Sequence, residues 1–370
     1  MKSLILVLGL LIFSTQSLAA GCEWPQWQQF KSVYLVNGRV IDGSDERRIT
    51  TSEGQSYGLF FALIANDRPA FAAMLDWTQN QLAEGDLTAR LPAWLWGQQP
   101  SGRWGVLDDN PASDSDLWIA YTLAEAGRLW NNQYYQSLAH LMASRILREE
   151  TVTIDGLGTV LLPGSVGFAL ENGQYRVNPS YVPLQLMARM AHLYPQYNWT
   201  SLYRTSLAMI LGTMPAGFSP DWATLANGSY IADQETGPVG SYNAIRTYLW
   251  AGMLSDDSKD KAALVKAMQP MVAATAALSA PPRTVNTQTG QYQAQGSAGF
   301  SAAMLPLLAA SGETALLQAQ AERATAALVT HRDDHYYDNV LALFGQGWHQ
   351  QRYRFGVQGE LEPAWEKGCQ

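Results

Sequence analysis

ASDSDLWIAYTLAEAGRLW, residues 112–130, is the stretch that decides the architecture. Its apolar side chains return at the i, i+3, i+4 spacing of a helix with a face to bury. Two asparagines, Asn131 and Asn132, interrupt it, and a second helical pattern covers 132–148. The same pairing recurs along the chain. The spacing predicts helices over 54–66, 69–84, 181–193, 200–212, 242–254, 258–277, 299–310, 313–330 and 334–344, many of them separated by Gly, Pro, Asn or Asp. Strand-like segments are few, the best being TVTIDGLGTVLL at 151–162, which reads as a hairpin. Helices in successive pairs predict an all-α fold, a closed ring of helical hairpins with short β hairpins in its loops. No linker rich in Ser, Gly or Pro divides residues 21–370, so they read as one domain.

Residues 1–20, MKSLILVLGLLIFSTQSLAA, carry one Lys, an apolar run and small residues at a cleavage point near Ala19 and Ala20. That is the pattern of a secretory signal and implies a periplasmic or secreted protein. No later segment has an unbroken apolar run near the length of a membrane span. Without Lys2 the chain has 23 basic against 32 acidic side chains. The resulting negative charge disfavours nucleic acid and anionic membranes as partners. Thirteen Trp and 17 Tyr point instead to ligands with flat apolar faces, such as sugar rings. Cys22 and Cys369 are the only cysteines. In an exported protein they are candidates for a disulfide tying the ends together, with acylation of Cys22 in LAAGC as the competing reading.

Three helix starts carry polar groups that suit chemistry. TSEGQSYG puts Ser52 at an N-cap, with Glu53 behind it and Gly54 leaving room beside the carboxylate. In the 112–130 stretch Ser113 is the cap, followed by Asp114 and Asp116. GSYNAIR, 240–246, puts Ser241 at the cap and Asn243 in the first turn. Each also reads as plain capping, because Ser-x-x-Gln and Ser-x-x-Asp are capping-box patterns and acids suit helix N-termini. In a ring of hairpins, however, the inner helices run the same way, and their first turns share one rim. Distant acids can then meet in one cleft. The other chemistries fit poorly. His331 and His335 lack a clear third metal ligand, and there is no G-x-S-x-G elbow and no phosphate loop. Carboxylates amid aromatics are the equipment of glycosidic bond cleavage, which needs neither metal nor cofactor.

TTSEGQSYG, LPAWLWG, ASDSDLWIAYTLAEAGRLW, FSPDW, YNAIRTYLW, GFSAAMLP and YYDNVLALFGQGW, in this order from about Cys22 onward, resemble glycoside hydrolase family 8. The resemblance implies an (α/α)6 barrel and inverting endo-hydrolysis of β-1,4-glucan, that is, cellulose. It also implies a link to bacterial cellulose synthesis and its synthase and export machinery. Chitosanase and xylanase are the alternatives within the family. Carried over, Glu53 matches the general acid, Asp114 the acid of the family signature and Asp116 its neighbour. Tyr57, Trp94, Trp96, Tyr181, Trp222, Tyr242, Arg246, Tyr336 and Tyr337 are candidates for contacting sugar.

At position 243 the sequence departs from the family pattern YDAIR, whose Asp is the catalytic base. An amide oxygen accepts a hydrogen bond from water but does not take up its proton at neutral pH. Four readings follow. Asn243 cripples the enzyme, or Glu235 or Asp233 of the preceding loop supplies the base. Otherwise Asp114 or Asp116 partners Glu53, or the protein binds glucan without cutting it.

Overall fold

The computed structural model describes residues 22–327 and 335–369. Thirteen α-helices occur among them: α1 (Pro25–Tyr34), α2 (Ser52–Ile64), α3 (Arg68–Leu82), α4 (Ser113–Leu129), α5 (Gln133–Glu149), α6 (Leu184–Leu193), α7 (Trp199–Gly212), α8 (Ala244–Met253), α9 (Lys261–Ala267), α10 (Gln269–Leu278), α11 (Ala298–Ala310), α12 (Thr314–Ala327) and α13 (Tyr336–His349). Every stretch that the sequence spacing predicts as helical holds one. Two differences have local causes. The helix predicted over 258–277 breaks at Met268, because Pro270 in the first turn of α10 has no N–H to continue the ladder. The sequence reading omitted α1, although Pro25 opens it and Trp27, Phe30 and Tyr34 recur on one buried side.

Two kinds of helix alternate. In α2, α4, α8 and α11 nearly every residue is buried, including the run Ser113–Gly127 of α4. Helices apolar on all sides belong inside. In α3 and α5 burial is one-sided, as at Leu138, Ala139, Met142, Ala143 and Ile146 of α5. The inner helices α2, α4, α6, α8, α11 and α13 contact one another in sequence, each backed by an outer partner. The ring closes where Phe344 of α13 packs its ring 4.9 Å from Tyr57 and 4.6 Å from Phe61, both of α2. Trp118 of α4 and Trp250 of α8 fill the middle, 5.2 Å apart and each against Phe344. Gly345 lets α13 approach the backbone of Ala302 in α11 at a distance that no Cβ would allow. This is the (α/α)6 arrangement.

Short antiparallel strands occupy the connections. The hairpin predicted in 151–162 forms as Thr151–Ile154 against Gly158–Leu161. One three-stranded sheet joins Thr50–Thr51, which enters α2, to Leu95–Gln98 and Trp104–Asp108 before α4. The Cys22–Cys369 disulfide is present, with Cα atoms 5.2 Å apart, so Cys22 Sγ is not free for acylation. No helix among the described residues is long and apolar enough to cross a membrane. His331 lies outside the described residues, and so does the 1–20 stretch that the sequence reading takes as a secretory signal.

Candidate active site

Arg246, in the first turn of α8, is where the inner helix starts meet. Its Nη1 is ion-paired to Glu53 Oε2 of α2, donates to Tyr57 Oη at 3.1 Å and lies 3.6 Å from Asp114 Oδ2 of α4. Its Nη2 donates to Asn243 Oδ1 at 2.8 Å and to Ser180 Oγ, just before α6, at 3.2 Å. Burial opposes the charge on this guanidinium, but the facing carboxylates more than offset it and hold its pKa well above the ordinary value. Near the same rim Tyr337 of α13 donates to the Tyr242 carbonyl at 2.5 Å. Distant first turns thus converge, as a ring of co-directional inner helices requires.

The two carboxyls on Arg246 differ in access. The Glu53 side chain is 25% exposed and that of Asp114 only 3%. Burial, and then the neighbouring Glu53 charge, push the Asp114 carboxyl up to about 7, against the pull of Arg246 and the donors of Ser115. Both carboxyls lie against one nitrogen, which sets those two oxygens closer than the roughly 6.5–9.5 Å that an inverting pair leaves for water.

The helix starts are capped differently from the sequence expectation. Thr51, not Ser52, caps α2 by accepting from Gly54 N at 3.0 Å. Ala112 precedes α4, so Ser113 is already helical, and Ser241 lies two residues before the Asn243 cap of α8. Gln55 makes no capping box; it turns inward to accept from Val40 N at 2.6 Å. A Cβ on Gly54 would meet the Tyr336 hydroxyl at 2.6 Å, so the small residue admits that tyrosine rather than a ligand. Tyr336 itself is buried against Tyr34 and belongs to the core.

Asp116 is placed apart from Glu53. It is sealed, together with Glu150, and none of their four carboxyl oxygens receives a hydrogen bond from an N–H or hydroxyl among the described residues. Burial drives both carboxyls well above their ordinary range, so the pair retains protons. Asp233 is also structural. It accepts two bonds from Arg176, both 3.0 Å, and two from Thr236, at 2.9 and 2.8 Å. Although burial works the other way, these donors hold it below the usual carboxylate range. Glu235 points outward, 68% exposed, and pairs with Arg176 at 2.7 Å.

Of the aromatic candidates, Trp222 and Tyr181 sit 6.0 Å apart and half-buried, with the Arg246 guanidinium 5.8 Å from Tyr181. Arg176 lies 4.4 Å over Trp222. Tyr242 is open to solvent, and Tyr57 is fully buried with only its hydroxyl on the site. Trp94 is half-buried, and its carbonyl accepts from Ser52 N at 3.0 Å, beside Glu53. Trp96 is instead covered by Trp77, Trp104 and Arg39.

Asn243 Oδ1 is fully engaged, accepting from Arg246 and, at 3.3 Å, from Asn178 Nδ2. Three groups here escaped the sequence reading: Asn178, Ser180 and Asp221. Asp221 stands in FSPDW, of which only the tryptophan drew notice.

The comparisons with known proteins agree with this geometry. Residues 3–351 match the family model for glycosyl hydrolases family 8. An endoglucanase of Escherichia coli O157:H7 is 48% identical over 365 residues, spanning 97% of this chain and 96% of that protein. An endoglucanase of Xanthomonas axonopodis pv. citri is 44% identical over 344 residues, 92% of this chain and 89% of that one. The crystal structure of the endo-1,4-D-glucanase from Vibrio fischeri ES114 superposes with a TM-score of 0.87 at 52% identity, covering 93% of this chain and all of the other. The chain belongs to glycosyl hydrolases family 8.

Proposed function

We propose that this glycoside hydrolase is an endo-β-1,4-glucanase, a cellulase, that cleaves within the glucan chain with inversion. Glu53 donates the proton to the glycosidic oxygen. The observation that carries the reading is the partly exposed Glu53 carboxyl held at the meeting point of the inner helix starts, beside Asp114 and Arg246. The relatives' printed names, endoglucanase and endo-1,4-D-glucanase, support the substrate class. Arg246 fixes Glu53, and Asp114, raised to about 7, serves to hydrogen-bond a sugar hydroxyl. Trp94, Tyr181, Trp222, Tyr242 and Tyr337 are the aromatics that this reading assigns to sugar contacts. The signal-like leader and the terminal disulfide support action outside the cytoplasm, where such bonds persist. The link to cellulose synthesis and export rests on the motif resemblance alone.

The test is reducing-sugar release from carboxymethylcellulose, with soluble chitosan and xylan alongside and proton NMR of the first anomer formed. Release from the cellulose derivative, lost in Glu53→Gln and giving the α-anomer first, is the expected result. Binding without release would favour a glucan-binding protein, the reading that Asn243 motivates.

A further inference from the structure

Asp221 lies 22 positions before Asn243 and is fastened against the start of α8. Its Oδ1 accepts three backbone hydrogen bonds, from Ser241 at 2.9 Å, Asn243 at 2.9 Å and Ala244 at 2.8 Å. It therefore supplies from a distant loop the cap that α8 lacks from its own side chains. The loop is pinned on each side. Asp221 N donates to Val239 O at 2.7 Å, and Ser219 N donates to Tyr248 Oη at 2.8 Å. Gly240 packs on the Ser219 carbonyl where a Cβ would not fit. The second oxygen, Oδ2, accepts no hydrogen bond from the described residues, and the side chain is only half-buried.

The amide of Asn243 has no basic atom to offer, because its oxygen is taken by Arg246 and Asn178. Asp116 and Asp233 are tied up elsewhere, and Asp114 shares one Arg246 nitrogen with Glu53. Asp221 belongs to the same network as Glu53: it accepts from the backbone N–H of Asn243, whose side chain accepts from Arg246, the partner of Glu53. Building on the hydrolase reading above, we propose that Asp221 is the proton acceptor of this enzyme, taking the role that an Asp at position 243 plays in the family pattern. Water gives a proton to Asp221 Oδ2 as its oxygen bonds the anomeric carbon. The glycosidic C–O bond breaks with its electron pair on the leaving oxygen, which takes the proton of Glu53. Proton exchange with solvent resets both carboxyls. Burial raises the Asp221 carboxyl above its ordinary value against the three N–H donors and Arg246, which favours proton uptake.

Asp221→Asn is the informative variant, because an amide oxygen keeps the three backbone bonds while the free oxygen becomes an NH₂. On carboxymethylcellulose it should lower kcat by about 10²–10⁴ with KM little changed. Azide, a nucleophile that needs no base, should restore chain cleavage, read as loss of viscosity because the glycosyl azide formed has no reducing end, and adding Asn243→Asp should restore turnover too. Asn243→Asp alone, independent of how Asp221→Asn folds, should bring no gain of about 10² in kcat, since an acceptor is already present. Four results would overturn the assignment: Asp221→Asn near wild-type kcat, a loss that neither azide nor Asn243→Asp repairs, a gain above about 10² in Asn243→Asp alone, or a wild type that releases no sugar. The last would also remove the hydrolase reading, whereas the first three would leave it standing.

Discussion

Asp114 and Asp116 stand in the same first turn of one helix, two residues apart, and live in opposite electrostatic surroundings. Asp114 faces a guanidinium shared with Glu53, on the rim where helix starts converge. Asp116 is sealed against Glu150, and neither carboxyl has a cation or N–H donor among the described residues. Residues two apart on a helix point about 200° away from each other, so one motif serves two sites. At the first site Arg246 offsets part of the cost of burying a carboxylate, so Asp114 rises only to about 7. The second site persists by refusing charge, since unpaired buried carboxylates cost more than a retained proton. A D-x-D pattern is therefore no evidence that both acids work on substrate.

The comparison can be broken most forcefully at the rim. Glu53→Gln should reduce reducing-sugar release at least about 10²–10⁴-fold, with circular dichroism unchanged. Arg246→Met removes the cation common to Glu53, Asp114 and Asn243. It should cost about 3–5 kcal/mol of stability at pH 8, read from denaturant midpoints. The loss should be smaller at pH 5, below the Asp114 value of about 7, because that carboxyl then carries a proton and needs no partner.

The sealed pair responds the other way. Folded-state values raised above the unfolded ones mean that the native state holds protons which the unfolded chain releases, so stability falls as pH rises past the ordinary carboxylate range. Asp116→Asn keeps the shape and removes one titrating proton. It should stabilise by about 1–3 kcal/mol at pH 9, with little change at pH 4, in thermal melts at both values. Its hydrolytic rate should stay within several-fold of the parent. The smallest effect is expected at Trp96, whose ring is covered by Trp77 and Trp104. Trp96→Phe should leave KM for glucan unchanged within about twofold, while Trp94→Ala raises it several-fold, by the about 0.5–1.5 kcal/mol of a lost ring contact. Equal effects at the two positions would sink the separation between them.

Much of this molecule is written in local pattern. The helices, their pairing, the hairpin at 151–162 and the polar first turns at 53, 114 and 243 follow from periodicity and punctuation. The near-complete apolarity of α11, and of α2 beyond its first turn, accords with their place inside the ring, whereas α4 is buried despite Asp114, Asp116 and Glu125. The N-caps were harder, because Thr51 and Ser52 are both capping residues and one position of phase separates them. Gly54 was misread for a different reason: its room is filled by a side chain 282 positions away.

What the sequence alone determined is the content of each element and the set of acids at its start, because helix formation and capping are decided by neighbours within a turn or two. What the tertiary structure decided is direction. It chose Asp114 over Asp116, left Trp94 half-buried while Trp96 joined an aromatic cluster, and laid Asp221 on the first turn of a helix that begins 23 residues later. The physical reason is that a side chain's bearing toward the cleft depends on how each helix is rotated in the ring, and ring closure at Phe344 sets that only once every element is packed.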